Sequence, residues 1–203
     1  MSLLGFKNPI IAILRGIKPE EAIDICEALV SEGVEIIEVP LNSPDPFVSI
    51  KKLVDHFGNK ILLGAGTVLQ PAQVTALADT GAKLMVTPNF DPEVVEAALQ
   101  HKLIAAPGVY TPSEAFAAYK AGVKCIKLFP GGRLGLPYLK DIQAVLPPDL
   151  DVVIVGGVDA ANVGAWISGG AAGVGAGSSI YMPGDTPEIA ANKAKALVKG
   201  LQQ

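Results

Sequence analysis

One pattern repeats eight times along this chain: a short run of mostly aliphatic residues, a loop, then a segment with helical spacing. The runs cover residues 10–14, 34–39, 60–65, 83–87, 103–106, 123–129, 151–155 and 172–176. They are rich in Ile, Val and Leu and mostly lack polar alternation. A strand with one face in water alternates apolar and polar residues. A continuous apolar run belongs to a strand covered on both faces, as in a parallel sheet flanked by its crossover helices. Eight units in 203 residues leave roughly 25 residues for each strand and helix, tight but sufficient for a closed barrel. The expected fold is a small α/β protein, a (β/α)8 TIM barrel occupying 1–203 as one domain, because no linker or low-complexity stretch divides it. An open doubly wound sheet is the rival arrangement.

Proline and glycine punctuate the helices. Pro19, Pro46, Pro71, Pro92, Pro112 and Pro187 stand where helices should open, a position with no intrahelical use for an N–H. Asp45, Asp91, Thr111 and Thr186 precede four of them as N-caps, and Thr111-Pro112-Ser113-Glu114 reads as a capping box. Gly33, Gly58, Gly81, Gly122 and Gly169 follow the helices, where a left-handed residue ends the last turn. In the first helix, read as 19–31, Ala22, Ile25, Cys26 and Leu29 share one face.

Composition narrows the function. Half of the residues are hydrophobic and the formal net charge is -4, which gives no footprint for nucleic acid or a membrane surface. No stretch approaches the ~20 apolar residues of a membrane span, and no basic region followed by a long apolar run marks a leader. Cys26 and Cys125 stand far apart in apolar surroundings. They read as small core residues in a protein of the reducing cytoplasm. His56 and His101 make no ligand pair, so no metal is expected; near helix ends, their partners should be the last carbonyls. Trp166 reads as packing.

In a barrel of this kind chemistry sits at the C-terminal ends of the strands. The polar residues there are Arg15, Glu38, Thr67, Thr87, Asn89 and Lys127. Strand alternation puts Val123, Cys125, Lys127 and Phe129 on one face and Lys124 on the other, where it can reach solvent. An ammonium on an apolar face is costly unless paired or neutralised, and a neutral amine is a nucleophile for a carbonyl carbon. A salt-bridged lysine at the rim explains the residue as well. Val34, Ile36 and Glu38 share a face, so Glu38 points inward as a proton shuttle, as a counter-ion for Arg15 or Lys127, or as both. Arg15 follows an apolar run, fit either for a bidentate grip on a carboxylate or for an ion pair with Glu38. Gly64-Ala65-Gly66-Thr67 offers backbone donors and a hydroxyl, or simply a turn. Val155-Gly156-Gly157-Val158 and Ala176-Gly177-Ser178-Ser179 follow the last two runs, where barrels bind phosphate on loop N–H groups and a short helix. Tight left-handed turns would explain these glycines too.

Seven motifs, in order and spacing, resemble the bacterial 2-keto-3-deoxy-6-phosphogluconate/6-phosphogalactonate aldolases along almost the whole chain. They are Ile-Leu-Arg-Gly (13–16), Glu-Val-Pro-Leu-Asn-Ser-Pro (38–44), Gly-Ala-Gly-Thr (64–67), Thr-Pro-Asn (87–89), Lys-Leu-Phe-Pro (127–130), Val-Gly-Gly-Val (155–158) and Gly-Ser (177–178). The resemblance implies a class I aldolase without metal or other cofactor, assembled as a homotrimer. It would cleave a phosphorylated keto-deoxy sugar acid to pyruvate and glyceraldehyde 3-phosphate. By that likeness Lys127 is the Schiff-base lysine and Glu38 the acid/base. Arg15, Thr67, Pro88, Asn42 and Val155 contact the substrate, while Gly156, Gly157, Gly177 and Ser178 hold its phosphate. The gluconate-type enzymes usually carry arginine four residues after the glutamate and threonine before the paired glycines. Asn42 and Val155 stand there instead, which resembles the galactonate branch; a gluconate or dual specificity is the alternative. Gly131-Gly132-Arg133 departs from the small or acidic residues the family leads one to expect, and Arg133 either adds phosphate affinity or is merely exposed. Outside this resemblance, a sugar-phosphate isomerase or epimerase and a non-catalytic phosphate-binding barrel fit the pattern.

Overall fold

The computed structural model describes residues 5–202. Met1–Leu4, part of the stretch read for a leader, and Gln203 lie outside them. The strands are β1 (Ile10–Ile13), β2 (Ile36–Pro40), β3 (Leu62–Gly66), β4 (Leu84–Val86), β5 (Ile104–Ala106), β6 (Gly108–Val109), β7 (Cys125–Leu128), β8 (Asp151–Val155) and β9 (Gly173–Ala176). The helices are α1 (Ala22–Ser31), α2 (Pro46–Phe57), α3 (Pro71–Asp79), α4 (Pro92–Gln100), α5 (Pro112–Lys120), α6 (Gly131–Gln143), α7 (Val163–Ser168) and α8 (Pro187–Gly200). Every strand pairing is parallel, in the order β5-β4-β3-β2-β1-β9-β8-β7-β6.

The expected fifth strand, 103–106, forms β5, and a further short strand that the sequence did not suggest, β6, follows it beyond Pro107, which has no N–H to give a ladder. The carbonyl of Pro107 still accepts the N–H of Lys127 at 2.9 Å, while Ile104 in β5 donates to Lys83 at 2.8 Å. β5 therefore holds β4, β6 holds β7, and the ring closes as a (β/α)8 barrel rather than an open sheet.

Two cores follow from the period-two alternation of strands. Inside lie Ile11, Ile13, Ile36, Leu62, Leu84, Val86, Ala106, Cys125, Val153 and Val155. Outside, Ile10, Ala12, Ile37, Leu63, Met85, Ile126, Ile154 and Val174 join the apolar stripes of the helices, with Trp166 in the same core. Val34 and Val123 belong to this outer core, not to the inner face counted from the start of their runs. Each precedes its strand by two residues, so strand alternation does not yet govern it.

Helix entry follows the expected chemistry in three places: Asp91 accepts from Glu93 and Val94, Thr111 caps Glu114 reciprocally, and Thr186 accepts from Ile189. Three expectations need correction. Pro19 sits in a turn and α1 begins at Ala22. Asp45 is left-handed (φ 41°) and its carboxylate caps nothing. Gly169 is right-handed, and Gly170 (φ 105°) supplies the reversal instead. The imidazoles also turn elsewhere: His56 meets Glu27 at 2.8 Å and His101 meets Thr75 at 3.3 Å.

On the inner wall, β3 carries glycine at 64 and 66. A Cβ on Gly64 would lie 2.0 Å from the Leu84 carbonyl oxygen, a backbone atom of the neighbouring strand. Gly64→Ala is expected to destabilise the fold by about 3 kcal/mol, read from urea unfolding, because the ladder must shift to admit a methyl group. Unchanged stability would show that the strands are looser than this geometry requires.

Candidate active site

Glu38 and Lys127 project from β2 and β7 into the barrel, two polar side chains in an apolar wall. They are 2% and 7% exposed. Glu38 lies in register with Ile13 and Gly64, and Lys127 with Gly108 and Val153. The Glu38 carboxyl has room because Gly66 has no side chain; a Cβ there would sit 1.9 Å from Oε2. That oxygen is buried without a hydrogen-bond partner. Burial pushes the Glu38 carboxyl up to about 7, against the opposing pull of Lys127 and Arg15. Burial also holds the Lys127 amine below its ordinary value. Glu38 works against that shift and Arg15 adds to it. The amine stands 4.6 Å from the centroid of the Phe129 ring. Burial thus shifts one group toward its neutral nucleophilic form, and the other titrates where a proton can be given or taken near neutrality. Lys124, on the outer face, pairs with Asp149 at 2.6 Å as a solvent-facing lysine should.

Arg15 does not form the ion pair with Glu38 that the sequence left open. Its Nη1 donates to Oδ1 of Asn42 at 2.5 Å, which ties the loop after β1 to the loop after β2. Ser43 supports the same junction by accepting the N–H of Gly16 at 2.9 Å. Thr67, just past β3, has φ 55°, an unfavourable left-handed backbone for a β-branched residue and a mark of a constrained site. Thr87 donates to the Asn89 carbonyl and accepts from Gly108 at 3.3 Å, so it braces the start of β6. Pro88 packs there too, its carbonyl oxygen 2.2 Å from where a Cβ on Gly108 would fall.

The glycines after β8 do turn left-handed, at φ 95° for Gly156 and 75° for Gly157. Their loop is nevertheless anchored: Asn162 Nδ2 donates to the Gly157 carbonyl at 2.8 Å, and Ser179 Oγ to that of Val158 at 2.7 Å. Residues 177–181 after β9 form a turn on the Gly177 carbonyl rather than the expected short helix. A cavity of about 200 Å³ brings Arg15, Phe129, Val155, Gly156, Gly157, Gly177 and Ser178 together. Lys127, Glu38, Thr67, Pro88 and Asn42 are not in its lining. Phe129 joins the two parts, lining the cavity while facing the Lys127 amine. Sequence reasoning gave Phe129 no role, although it sits in the Lys-Leu-Phe-Pro motif. Cys26 and Cys125 are buried with thiols pushed up by burial, core residues as read. Among the described residues no cluster of three or more His, Cys, Asp or Glu could hold a metal ion. No helix there is long and apolar enough to cross a membrane.

A parallel barrel with a buried amine and a buried carboxyl beside glycine-rich loops has close counterparts among known proteins. The chain is 46% identical to the 2-dehydro-3-deoxy-6-phosphogalactonate aldolase of Escherichia coli (strain K12), over 97% of this chain and 96% of that one. It is 48% identical to a probable enzyme of the same name from Rhizobium meliloti (strain 1021), over 88% and 84%. A native KDPGal structure superposes with a TM-score of 0.94 at 46% identity, covering 97% of this chain and 95% of that chain. The model of the KDPG and KHG aldolase family matches residues 5–195, and the chain belongs to that family.

The raised pKa of Glu38 makes stability depend on pH with a definite sign. The folded carboxyl titrates near 7 and the unfolded one near 4.5. Folding is therefore favoured by the protonated form, and stability falls as pH rises from 4.5 to 7, then levels. Urea unfolding of wild type and Glu38→Gln should show the balance shifting toward the variant by up to about 3 kcal/mol between pH 4.5 and 8. A pH-independent difference would mean that the carboxyl is solvated.

Proposed function

We propose that the protein cleaves 2-dehydro-3-deoxy-6-phosphogalactonate to pyruvate and glyceraldehyde 3-phosphate through a Schiff base on Lys127. The observation that carries this reading is the amine of Lys127 held below its ordinary pKa in the same barrel interior as a Glu38 carboxyl raised toward neutrality. The neutral amine attacks the C2 ketone and gives a carbinolamine. Glu38 donates a proton to the departing hydroxyl, so water leaves and a protonated imine remains. That cation draws electrons from the C3–C4 bond as the C4 hydroxyl gives its proton to the Glu38 carboxylate left by the previous step. The bond breaks, glyceraldehyde 3-phosphate departs and an enamine remains. Protonation at C3 and hydrolysis release pyruvate and the free amine.

The remaining residues supply grip. Arg15, oriented by Asn42, and Thr67 suit the carboxylate, with Pro88 shaping the wall nearby. Gly156, Gly157, Gly177 and Ser178 suit the phosphate at the other end of the substrate. Val155 is apolar and cannot hydrogen-bond a C4 hydroxyl, so discrimination between C4 epimers should be weak rather than reversed. In this reading the protein works in the cytoplasm as a homotrimer, in keeping with the family resemblance. Exposed Leu69, Tyr110 and Phe116 are available for subunit contact.

Incubation with pyruvate and borohydride should add one reduced pyruvyl unit at Lys127, mapped by peptide mass spectrometry. Lys127→Ala should lose both the adduct and turnover. An unmodified lysine in an active protein would overturn the mechanism, and turnover surviving Lys127→Arg would point to an isomerase or epimerase. Glu38→Gln should lower kcat/KM by about 10²- to 10⁴-fold and remove an inflection near pH 7. The kcat/KM values for the galactonate- and gluconate-derived substrates should fall within roughly tenfold of each other. A ratio far above that would assign epimer recognition to a group other than residue 155.

A further inference from the structure

The mechanism assigns no task to Arg133, a cation at the barrel mouth. Arg133 lies in the first turn of α6, immediately after β7. Its backbone N–H donates to the Pro130 carbonyl at 3.1 Å, while its guanidinium has no hydrogen bond or ion pair among the described residues. What lies beside it is specific. The N–H of Gly132 donates to the Gly156 carbonyl at 2.9 Å. A Cβ on Gly132 would stand 2.7 Å from that oxygen and 3.2 Å from the Gly157 Cα, and one on Gly131 would stand 2.6 Å from Ile154. Only a pair of glycines lets the start of α6 lie directly on the diglycine loop after β8. The next residue, Arg133, then lines a cavity of about 350 Å³ together with Pro130, Gly132, Gly156 and Gly157. Gly156 and Gly157 also line the cavity that contains Arg15, so the diglycine loop borders two cavities with an arginine in each.

We propose that Arg133 is a specificity residue for the phosphate end of the substrate, closing on it from the α6 side of Gly156-Gly157. This rests on the aldolase reading above. A phosphate monoester carries close to two negative charges at neutral pH, more than loop dipoles neutralise. With Arg15 engaged by the carboxylate, Arg133 is the guanidinium left to match the phosphate oxygens with its planar fork. Because Arg133 is exposed, solvent screening limits the gain to that of a single charge-assisted contact.

The test compares wild type, Arg133→Ala and Arg133→Lys. With the phosphorylated substrate, Arg133→Ala should raise KM roughly tenfold with kcat little changed, and Arg133→Lys should recover part of the loss. With the same keto-deoxy acid lacking phosphate, the substitution should leave kcat/KM within twofold. Calorimetric titration with inorganic phosphate, which needs no turnover, should show affinity falling by the same roughly tenfold factor in Arg133→Ala. Phosphate affinity and KM both within twofold of wild type would overturn the proposal, as would equal losses on the two substrates. Should wild type form no pyruvyl adduct at Lys127 while phosphate binding still depends on Arg133, the aldolase reading fails and the phosphate role stands.

Discussion

Desolvation is the constraint on which this protein turns. Water would keep the Lys127 amine protonated and the Glu38 carboxyl ionised, and both would then be poor reagents for attack and proton transfer at neutral pH. The barrel removes that water by surrounding the two groups with Ile13, Val153 and the neighbouring strands. The residual mutual attraction is visible in the opposing influence each has on the other's titration, yet burial outweighs it for both. A carboxyl and an amine that would form an ordinary salt bridge on a surface are instead shifted by burial toward their neutral forms, against their own attraction.

Around this pair the mouth is organised as two loop junctions. Arg15 and Asn42 join the loops after β1 and β2, with Ser43 and Gly16 as a second tie. Asn162 and Ser179 fix the loop after β8, and Gly132 joins it to the start of α6. Phe129 stands between the junctions, its ring against the amine and its edge toward the glycine-rich cavity. In the proposed reading an elongated anion is gripped at both ends while its keto carbon is carried to the buried amine, which is how binding geometry lowers the entropic cost of a reaction.

Much of this was legible in the chain because parallel strands obey a short period. Once residues 125–128 form a strand between helices, Lys127 must point inward and Lys124 outward, and the same reasoning turns Glu38 inward. The limits of that period explain the misplacement of Val34 and Val123, which precede their strands. Other features depend on contacts between segments far apart in sequence. Nothing near residue 15 shows that Asn42 will be the partner of its guanidinium, and a Pro107 just after an apolar run does not reveal that its carbonyl closes the ring. Gly66 read as part of a turn, whereas its structural reason is the carboxyl of Glu38 beside it. Asp45 failed as a cap because its backbone turned left-handed, a state that its side-chain chemistry permits but does not announce.

Eight-stranded barrels usually fill their axis with side chains, and a filled axis has no vacancy for a reactant. Here glycines at 64, 66, 108, 173 and 175 stand on the inward register of three strands, β3, β6 and β9, each contributing only a hydrogen where another barrel would place a branched chain. These omissions admit neighbouring atoms: the Leu84 carbonyl beside Gly64, the Glu38 carboxyl beside Gly66 and the Pro88 carbonyl beside Gly108. A lineage of this fold can exchange residues in the loops at the mouth, but enlarging one of those silent positions would displace the backbone or the buried carboxyl that leans on it.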